Sequence, residues 1–399
     1  MRLPARDDLI GQTSLNVYIT NLSAFLPNAP VSNDDMESVL GQVGERPSRA
    51  RRTVLRSNGI QTRYYAVDPT THEPTHTDAQ LAAEAVRGLA NKSFAVESID
   101  CLACGTTIPD QIMPSHASMV HGELGIPPCE TLSAAGVCLS SLTAMKYAWM
   151  GVASGEFQRA VACGSEVSSA MMRAELFAPE VEAKLAALEA SPEIAFDKDF
   201  LRWMLSDGAG AALLEPKPAA TGLSLRIDWI WQRSYAGEMP ACMYAGAEKK
   251  ADGSLKGWLA FEARQWLESS IFCVKQDIKQ LNEHIMRYTV ERGITDVQAV
   301  HPMKPADIDW FLPHYSSNFF RERVHQSLQN AGFEIPMERW FTNLSTKGNT
   351  GSASMFIILE ELFRSGRIQP GQRLLCYVPE SGRFSTGFMH LTACTANER

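Results

Sequence analysis

The chain of 399 residues has no apolar run near the roughly 18 residues that a membrane-spanning helix requires. Its first residues, MRLPARDDLIGQ, lack the apolar centre of a secretory leader, so the expectation is a cytoplasmic protein with no membrane association. A basic surface is missing as well: 37 Lys and Arg stand against 45 Asp and Glu, a net charge of −8 that argues against nucleic acid as a partner. No phosphate-binding loop or dinucleotide fingerprint is present, because SDGAGAALLEP lacks the G-x-G-x-x-G order and reads as a turn entering a strand. No bound cofactor is expected. The nine cysteines make an odd set placed mostly in apolar stretches, which fits reduced thiols better than a disulfide framework. The one C-x-x-C, Cys101 to Cys104, falls in a strand-like run where residues three apart face opposite sides, which argues against a shared metal ion.

At 45% hydrophobic, the chain can bury one large core or two fused halves. Its most informative residue is Cys138, at the end of the small-residue run SAAGVC and at the head of LSSLTAMKYAWMGVASG, which reads as a helix that Cys138 opens. Unpaired N–H groups and partial positive charge at a helix start stabilise a thiolate and any oxyanion beside it. Ser133, Ala134, Ala135 and Gly136 leave room for a substrate arm. Taken alone, a free cysteine is ordinarily a buried structural residue. Two distant residues lift this one out of that class. In DWFLPHYSSNFF an apolar strand, Trp310 to Leu312, stops at Pro313 and delivers His314 to a polar loop. In STKGNTGSASMFIILEELFRSG a second small-residue run, containing Asn349, opens another helix.

The two helices read as copies of one unit. Cys138 and Asn349 lie equally far ahead of the glycines, Gly155 and Gly366, that end them, and each glycine is followed by a turn and an apolar strand, RAVACGSE from Arg159 and RLLCYVPE from Arg373. A duplicated βαβ-type half would set Cys138 and Asn349 at equivalent helix starts, facing one another across a symmetric centre.

Cys138 in AAGVCLSSL, His314 behind its strand, Asn349 in GNTGSAS, the strand-turn LACGTTIPDQIMPS and the segment SDGAGAALLEP together resemble the thiolase-fold condensing enzymes, specifically the β-ketoacyl-acyl-carrier-protein synthase III group. The likeness runs from about residue 15 to the C-terminus. It implies an α/β thiolase fold in which two pseudo-symmetric βαβαβ-type halves form a five-layered α-β-α-β-α core. Residues 1–220 would carry the nucleophilic cysteine and 221–399 the histidine and asparagine. It further implies Cys138, His314 and Asn349 as the catalytic set, acyl-phosphopantetheine thioesters as substrates, an acyl carrier protein as partner and a homodimer. The stretch AFLPNAPVSNDDMESVLGQVGERPSRARRTVLRSNGIQTRYYA is similar, within the group, to ketosynthases of bacterial dialkylresorcinol and stilbene pathways.

Between Arg46 and Arg63 the chain carries Arg46, Arg49, Arg51, Arg52, Arg56 and Arg63 with no acidic residue. By resemblance this region borders the mouth of the pantetheine tunnel, so Arg46, Arg49, Arg51 and Arg52 are expected to dock the carrier and Arg56 to contact the pantetheine arm. Arg52 stands where coenzyme-A-using members carry an adenine-stacking tryptophan, which favours a carrier protein as donor. Ser317 takes the place of a pantetheine-binding asparagine. Met113 takes that of the residue closing the partner's acyl tunnel across the dimer, and suggests a longer or bulkier primer than acetyl. The segment Met171 to Ala190 reads as an inserted helix serving as a lid or dimer contact. Glu166 and Glu380, each at the end of a repeat's strand, are candidates for acid/base work in a cyclising enzyme.

The chemistry expected of these residues has two halves. A Cys138 thiolate attacks an acyl thioester, and the oxyanion takes donors from the Cys138 N–H and from Gly382 or Arg383 in the loop PESGRFSTG. A second thioester then becomes a carbon nucleophile by decarboxylation or proton loss, its enolate oxygen held by His314 and Asn349, which both donate without titrating away near neutral pH. The sequence therefore reads as a ketosynthase that self-acylates and performs a Claisen condensation of an acyl primer with a β-ketoacyl or malonyl thioester, with ring closure toward a cyclohexanedione or dialkylresorcinol-type product. A plain chain-initiating synthase and an acyltransferase of the same fold are the alternatives. A papain-like hydrolase shares the residue order but not the C-G-S-C-W surroundings, and a noncatalytic partner subunit would be expected to have lost the nucleophile.

Overall fold

Strands covered on both faces read as continuous apolar runs, and the runs singled out in the sequence become such strands. The computed structural model describes residues 16–43, 51–176 and 201–396. Its main sheet contains β1 (Tyr18–Phe25), β2 (Cys101–Thr106), β3 (Glu130–Ala135), β4 (Ala160–Glu166), β5 (Gly208–Glu215), β6 (Ser224–Ser234), β7 (Trp310–Pro313), β8 (Arg373–Glu380) and β9 (Ser385–Cys394). The spatial order is β7-β8-β9-β6-β1-β5-β4-β2-β3. Every residue of β2 and β4 is buried.

Order and direction expose the duplication. Reading inward from one end, β3, β2 and β4 are parallel, β5 is antiparallel to β4, and β1 is antiparallel to β5. From the other end, β7 and β8 are parallel, β9 is antiparallel to β8, and β6 is antiparallel to β9. The counterpart of β3 is reduced to a parallel bridge between Phe311 and Trp340. The halves meet at β1 and β6, paired only at Tyr18–Arg226 and Ile19–Leu225. The two half-sheets are thus joined edge to edge rather than wholly separate.

Helices fill three layers around them. The central layer is the pair α3 (Ser140–Ser154) and α7 (Ser354–Arg364), flanked on the outside by α1 (Asp78–Arg87) and α2 (His116–Leu124) on the first half, and by α4 (Ile278–Met286), α5 (Gly293–Val300) and α6 (Arg321–Asn330) on the second. The apolar contacts follow suit. One core joins α3 and α7 to both half-sheets, a second lies under α1 and α2, and a third under α4 to α6. This is the five-layered α-β-α-β-α arrangement. Cys101 belongs to the central core and Cys104 to the outer one, on opposite faces of β2. Among the described residues no helix is long and apolar enough to cross a membrane.

Small residues let the layers approach. A Cβ on Gly210 of β5 would stand 2.5 Å from that of Phe356 in α7, and one on Gly387 of β9 would stand 2.5 Å from the Leu139 side chain at the head of α3. The two helices are therefore pressed onto equivalent strands of opposite halves. Both end in left-handed glycines, Gly155 at φ 82° and Gly366 at φ 71°, where any other residue would be strained. Their starts differ: α3 begins at Ser140, whereas a short 3₁₀ turn, Gly351–Ala353, precedes α7. Cys138 therefore lies in the turn ahead of the helix and does not open it. Of the segment Met171 to Ala190, expected as an inserted helix, Met171 ends the 3₁₀ turn Ser168–Met171, Ala174–Leu176 is a second 3₁₀ turn, and residues 177–190 lie outside the described residues.

Candidate active site

Three loops converge where the two central helices begin. Cys138 precedes α3, His314 follows β7, and Asn349 precedes the turn into α7; all three line one cavity. Behind them the helix starts are bolted together by serines. Ser140 Oγ lies 2.8 Å from Ser352 Oγ, Ser141 Oγ donates to the Ser352 carbonyl at 2.5 Å, and Ser352 Oγ donates to the Gly105 carbonyl at 3.0 Å. No Cβ fits on Gly105 or Gly164, whose places would fall 2.5 Å from the Ser140–Ser141 backbone and 2.8 Å from the Ser352 carbonyl oxygen. The sequence reading passed over this cluster, although the recurrence of Ser and Gly at both helix heads is its visible trace.

Asn349 is anchored through its backbone, donating to the Met204 carbonyl at 3.0 Å and accepting from Ser206 N–H at 2.8 Å. Its Oδ1 accepts the Gly351 N–H at 3.0 Å, which leaves Nδ2 as the donor for the cavity. His314 is fixed by its backbone N–H to the Tyr377 carbonyl at 2.8 Å. Burial lowers the His314 imidazolium pKa to about 4, so the ring is neutral near pH 7 and carries one N–H. Both side chains are hydrogen-bond donors that hold no charge.

Cys138 differs from expectation. Burial, then the nearby Glu166 and Glu380 carboxylates, push its thiol well above the ordinary range, and its own backbone N–H opposes them only in part. The turn before the helix does not deliver enough positive potential to offset two acids. Those acids are themselves pushed up, Glu166 to about 8 by burial and by Asp78 and Asp207, and Glu380 by burial. They occupy equivalent places, at the ends of β4 and β8, yet differ in access. Glu166 lines the cavity, its Oε2 accepting from the Thr107 hydroxyl and from Ser352 N–H at 3.1 Å. Glu380 turns into its own loop and accepts the Gly382 N–H at 2.5 Å and that of Arg383.

That bond corrects the expected second oxyanion donor. Gly382 and Arg383 both spend their amides on Glu380, and neither lines the cavity; Pro379 and Ser381 do. Ser317 is also turned away, its hydroxyl accepting from Phe319 N–H in a tight local turn, and Ser316 lines the cavity instead. Arg56 is exposed on the helix Arg51–Asn58 and does not line the cavity. Met113 is 78% exposed beside Ile112 at 71%.

The arginine run does not form one surface. Arg51 pairs with Glu37 at 2.9 Å and donates to the Asn33 carbonyl, while Arg63 is fully buried and bonded to Asn33 and the Trp203 carbonyl. An acid from another segment pairs with Arg51 and burial removes Arg63 from the surface, which a count of neighbouring acids along the chain does not reveal. Arg52 is exposed; Arg46 and Arg49 lie outside the described residues.

Much of the remaining wall is apolar, with Met171, Met172, Leu201, Met204, Leu205, Met243, Leu281, Ile285, Met286 and Phe320, interrupted by Arg202, Gln276 and a few hydroxyl groups. Methionine and leucine of this density suit a flexible alkyl chain. The arrangement offers a thiol, two neutral donors and one carboxyl group at the head of an alkyl-lined space.

Comparison with known proteins follows the same lines. The 3-oxoacyl-[acyl-carrier-protein] synthase III C-terminal family matches residues 299–387 and the β-ketoacyl synthase N-terminal domain matches residues 103–220, together just over half the chain. β-Ketoacyl-[acyl-carrier-protein] synthase III from Xanthomonas oryzae pv. oryzae is 25% identical over 90% of this chain and 92% of that protein, and the Methylococcus capsulatus synthase is 23% identical over 90% and 93%. Among solved structures, the tetronic acid condensing enzyme AbyA1 superposes with TM-score 0.74 at 21% identity, covering 94% of this chain and 99% of that one. OleA from Xanthomonas campestris, solved with lauric acid and lauroyl-CoA, gives 0.69 at 19% identity over 94% and 99%. These structural likenesses establish the fold.

Proposed function

The chain belongs to the β-ketoacyl-acyl-carrier-protein synthase III family of thiolase-fold condensing enzymes, and on that premise we propose that Cys138 becomes acylated by a carrier-borne primer and that His314 and Asn349 then hold the enolate of a second thioester during Claisen condensation. The reading rests on one observation above the rest: a thiol and two uncharged donors from opposite halves share the wall of a single alkyl-lined cavity. A neutral imidazole and an amide are the donors an enolate needs, because a titrating partner would quench it. The acyl donor is an acyl-phosphopantetheine thioester on an acyl carrier protein. The extender is a β-ketoacyl thioester, and the condensed chain closes to a cyclohexanedione or dialkylresorcinol-type ring. The enzyme works as a homodimer. In support, β3 ends the sheet with an open edge among the described residues, and the apolar side chains of Ile112 and Met113 stand exposed.

Intact-mass measurement after incubation with acyl carrier substrates tests the first half. An acyl adduct is expected on wild type, Cys101→Ala and Cys104→Ala, and none on Cys138→Ala; an adduct surviving in Cys138→Ala would refute the assignment. Product analysis with an acyl primer and a β-ketoacyl thioester tests the second half. A cyclic, ultraviolet-absorbing product supports the ring-forming reading, whereas a linear carrier-bound chain formed from malonyl thioester alone favours a chain-initiating synthase.

A further inference from the structure

A β-ketoacyl extender differs from a malonyl one in a way that the cavity must answer. Decarboxylation leaves the electron pair of an enolate behind, but a β-ketoacyl thioester that keeps all its carbons must lose a proton from its α-carbon. That proton needs a base within reach of the second thioester. Resting on the reading above, we propose that Glu166 is this base, taking the α-proton of the β-ketoacyl thioester and returning it to the Cys138 sulfur.

Geometry selects it from the wall. Among the described residues lining the cavity, Glu166 carries the single carboxyl group. One oxygen, Oε2, is tied to Thr107 and Ser352; Oε1 makes no hydrogen bond to a described residue, and Glu166 is one of the residues lining the cavity. The other residues with labile protons are poorly suited. His314 binds a proton only near pH 4, Tyr315 is buried with its hydroxyl pKa raised, and Asn349 has no basic site. Glu380, the pseudo-equivalent acid, is capped by the amides of its own loop and does not line the cavity. Gly351, with φ at 51°, has no room for a side chain because Glu166 Oε2 would stand 2.3 Å from its Cβ, so the carboxyl group abuts the loop that holds Asn349.

Burial, then the buried acids Asp78 on α1 and Asp207 ahead of β5, raise the basicity of Glu166, opposed in part by its hydrogen bonds from Thr107 and Ser352. His116 on α2 is the nearby imidazole; its Nδ1 lies 3.6 Å from Asp78 Oδ2 and its Nε2 3.0 Å from the hydroxyl of Ser165, the residue before Glu166. His314 faces the same cavity as a neutral group, and the Arg202 guanidinium also lines it, donating to the carbonyls of Met172, Leu40 and Gly41. A carboxyl group titrating near pH 8 in that company is a much stronger base than an exposed glutamate, whose ordinary value is 4.5.

The step balances. The glutamate carboxylate takes the proton, and the C–H pair becomes the carbon–carbon π bond of the enolate, whose negative oxygen meets His314 and Asn349. The enolate α-carbon attacks the acyl carbonyl on Cys138, forming the carbon–carbon bond, and the tetrahedral intermediate expels the Cys138 thiolate. That thiolate, strongly basic in this pocket, takes the proton held by Glu166, so that thiol and carboxylate are both restored.

The test compares wild type, Glu166→Gln and Glu166→Asp in deuterium oxide with a β-ketoacyl pantetheine thioester, following α-deuterium uptake above the spontaneous rate. Acyl loading of Cys138 and turnover of a malonyl thioester are measured alongside. Glutamine keeps an oxygen for Thr107 and Ser352 but removes a carboxyl group that raises the Cys138 thiol, so loading is expected to hold or rise, and the diagnostic quantity is β-ketoacyl turnover relative to malonyl turnover in the same variant. Exchange and β-ketoacyl condensation are expected to fall about 10²-fold or more in Glu166→Gln, with partial recovery in Glu166→Asp. The wild-type exchange rate should climb with pH and level off above about 8, the climb vanishing in Glu166→Gln. Exchange and condensation undiminished in Glu166→Gln would overturn the assignment of Glu166 alone. A wild type that accepts only malonyl thioester would overturn the β-ketoacyl reading on which it rests.

Discussion

Replacing Glu166 by glutamine should make the protein more stable, and increasingly so as pH rises. The carboxyl group sits 5% exposed at the end of β4, and burial with like-charged neighbours raises its pKa from 4.5 to about 8. Across that interval the folded state holds a proton that the unfolded chain has released, so folding loses stability as pH climbs and the loss is complete above the folded value. The cost works out at about 1 kcal/mol near pH 5 and about 4 kcal/mol near pH 8. Glutamine carries no charge in either state and retains an acceptor for the Thr107 hydroxyl and Ser352 N–H, so the difference between variant and wild type isolates this term. Denaturant unfolding of both proteins, at one protein concentration and a series of pH values, measures it. The stability gap should widen by about 3 kcal/mol between those two pH values and then plateau. A gap that stays constant with pH, or a variant less stable at alkaline pH, would mean that Glu166 is charged in the fold and that its surroundings have been misread.

His314→Ala and Asn349→Ala should still load an acyl group on Cys138 but lose condensation by about 10²-fold, as single oxyanion-type donors do; equal loss of loading by intact mass would reassign both. Because burial lowers the His314 pKa to about 4, wild-type condensation should show no loss attributable to that ring above about pH 5, and a kinetic profile falling through the ordinary histidine range would contradict the neutral donor. Gly105→Ala should cost about 1–3 kcal/mol in unfolding and impair loading, since its Cβ would strike the Ser140–Ser141 backbone and push α3 away from Ser352; wild-type stability would show that the crossing has slack. Arg52→Glu should raise KM for a carrier-borne substrate several-fold at low salt while leaving a short pantetheine thioester unchanged, and equal effects on both would remove this helix from carrier docking.

Residues whose neighbours along the chain dictate their backbone were legible from sequence. Cys138, His314 and Asn349 each follow a run that can form only one local structure, a small-residue strand end, a strand stopped by Pro313 and a Gly-flanked turn, and the matched spacing to Gly155 and Gly366 carried the duplication. Residues whose role depends on distant segments were not. The arginine run seemed unopposed because Glu37 and Asn33, which occupy Arg51 and Arg63, come from an earlier segment of the chain. Gly382 and Arg383 seemed free because nothing in PESGRFSTG shows that Glu380 folds back on them. The thiol of Cys138 seemed activated because helix polarity is readable in a sequence, whereas two buried carboxyl groups from separate strands are not.

The symmetry itself explains why the two glutamates part ways. β4 and β8 are equivalent parallel strands, and each ends in a buried acid beside Cys138. After β8 the chain turns straight back into β9, pairing Glu380 with Ser385 around the four residues Ser381 to Phe384, with Phe384 at φ 58°. A hairpin that tight aims its own N–H groups inward, and Glu380 satisfies them. After β4 no hairpin forms: the chain leaves through Val167 into the turn Ser168–Met171, whose first and last residues line the cavity, and among the described residues Glu166 binds Thr107 and Ser352. One acid is consumed in closing a loop while the other keeps an oxygen toward the cavity. If that difference is the source of function, Glu380→Gln, which keeps an acceptor for the Gly382 N–H and removes a carboxyl group whose pKa burial raises, should leave α-proton exchange in place, whereas Glu166→Gln should remove it. Finding the two substitutions interchangeable in exchange would show that loop geometry does not divide their roles.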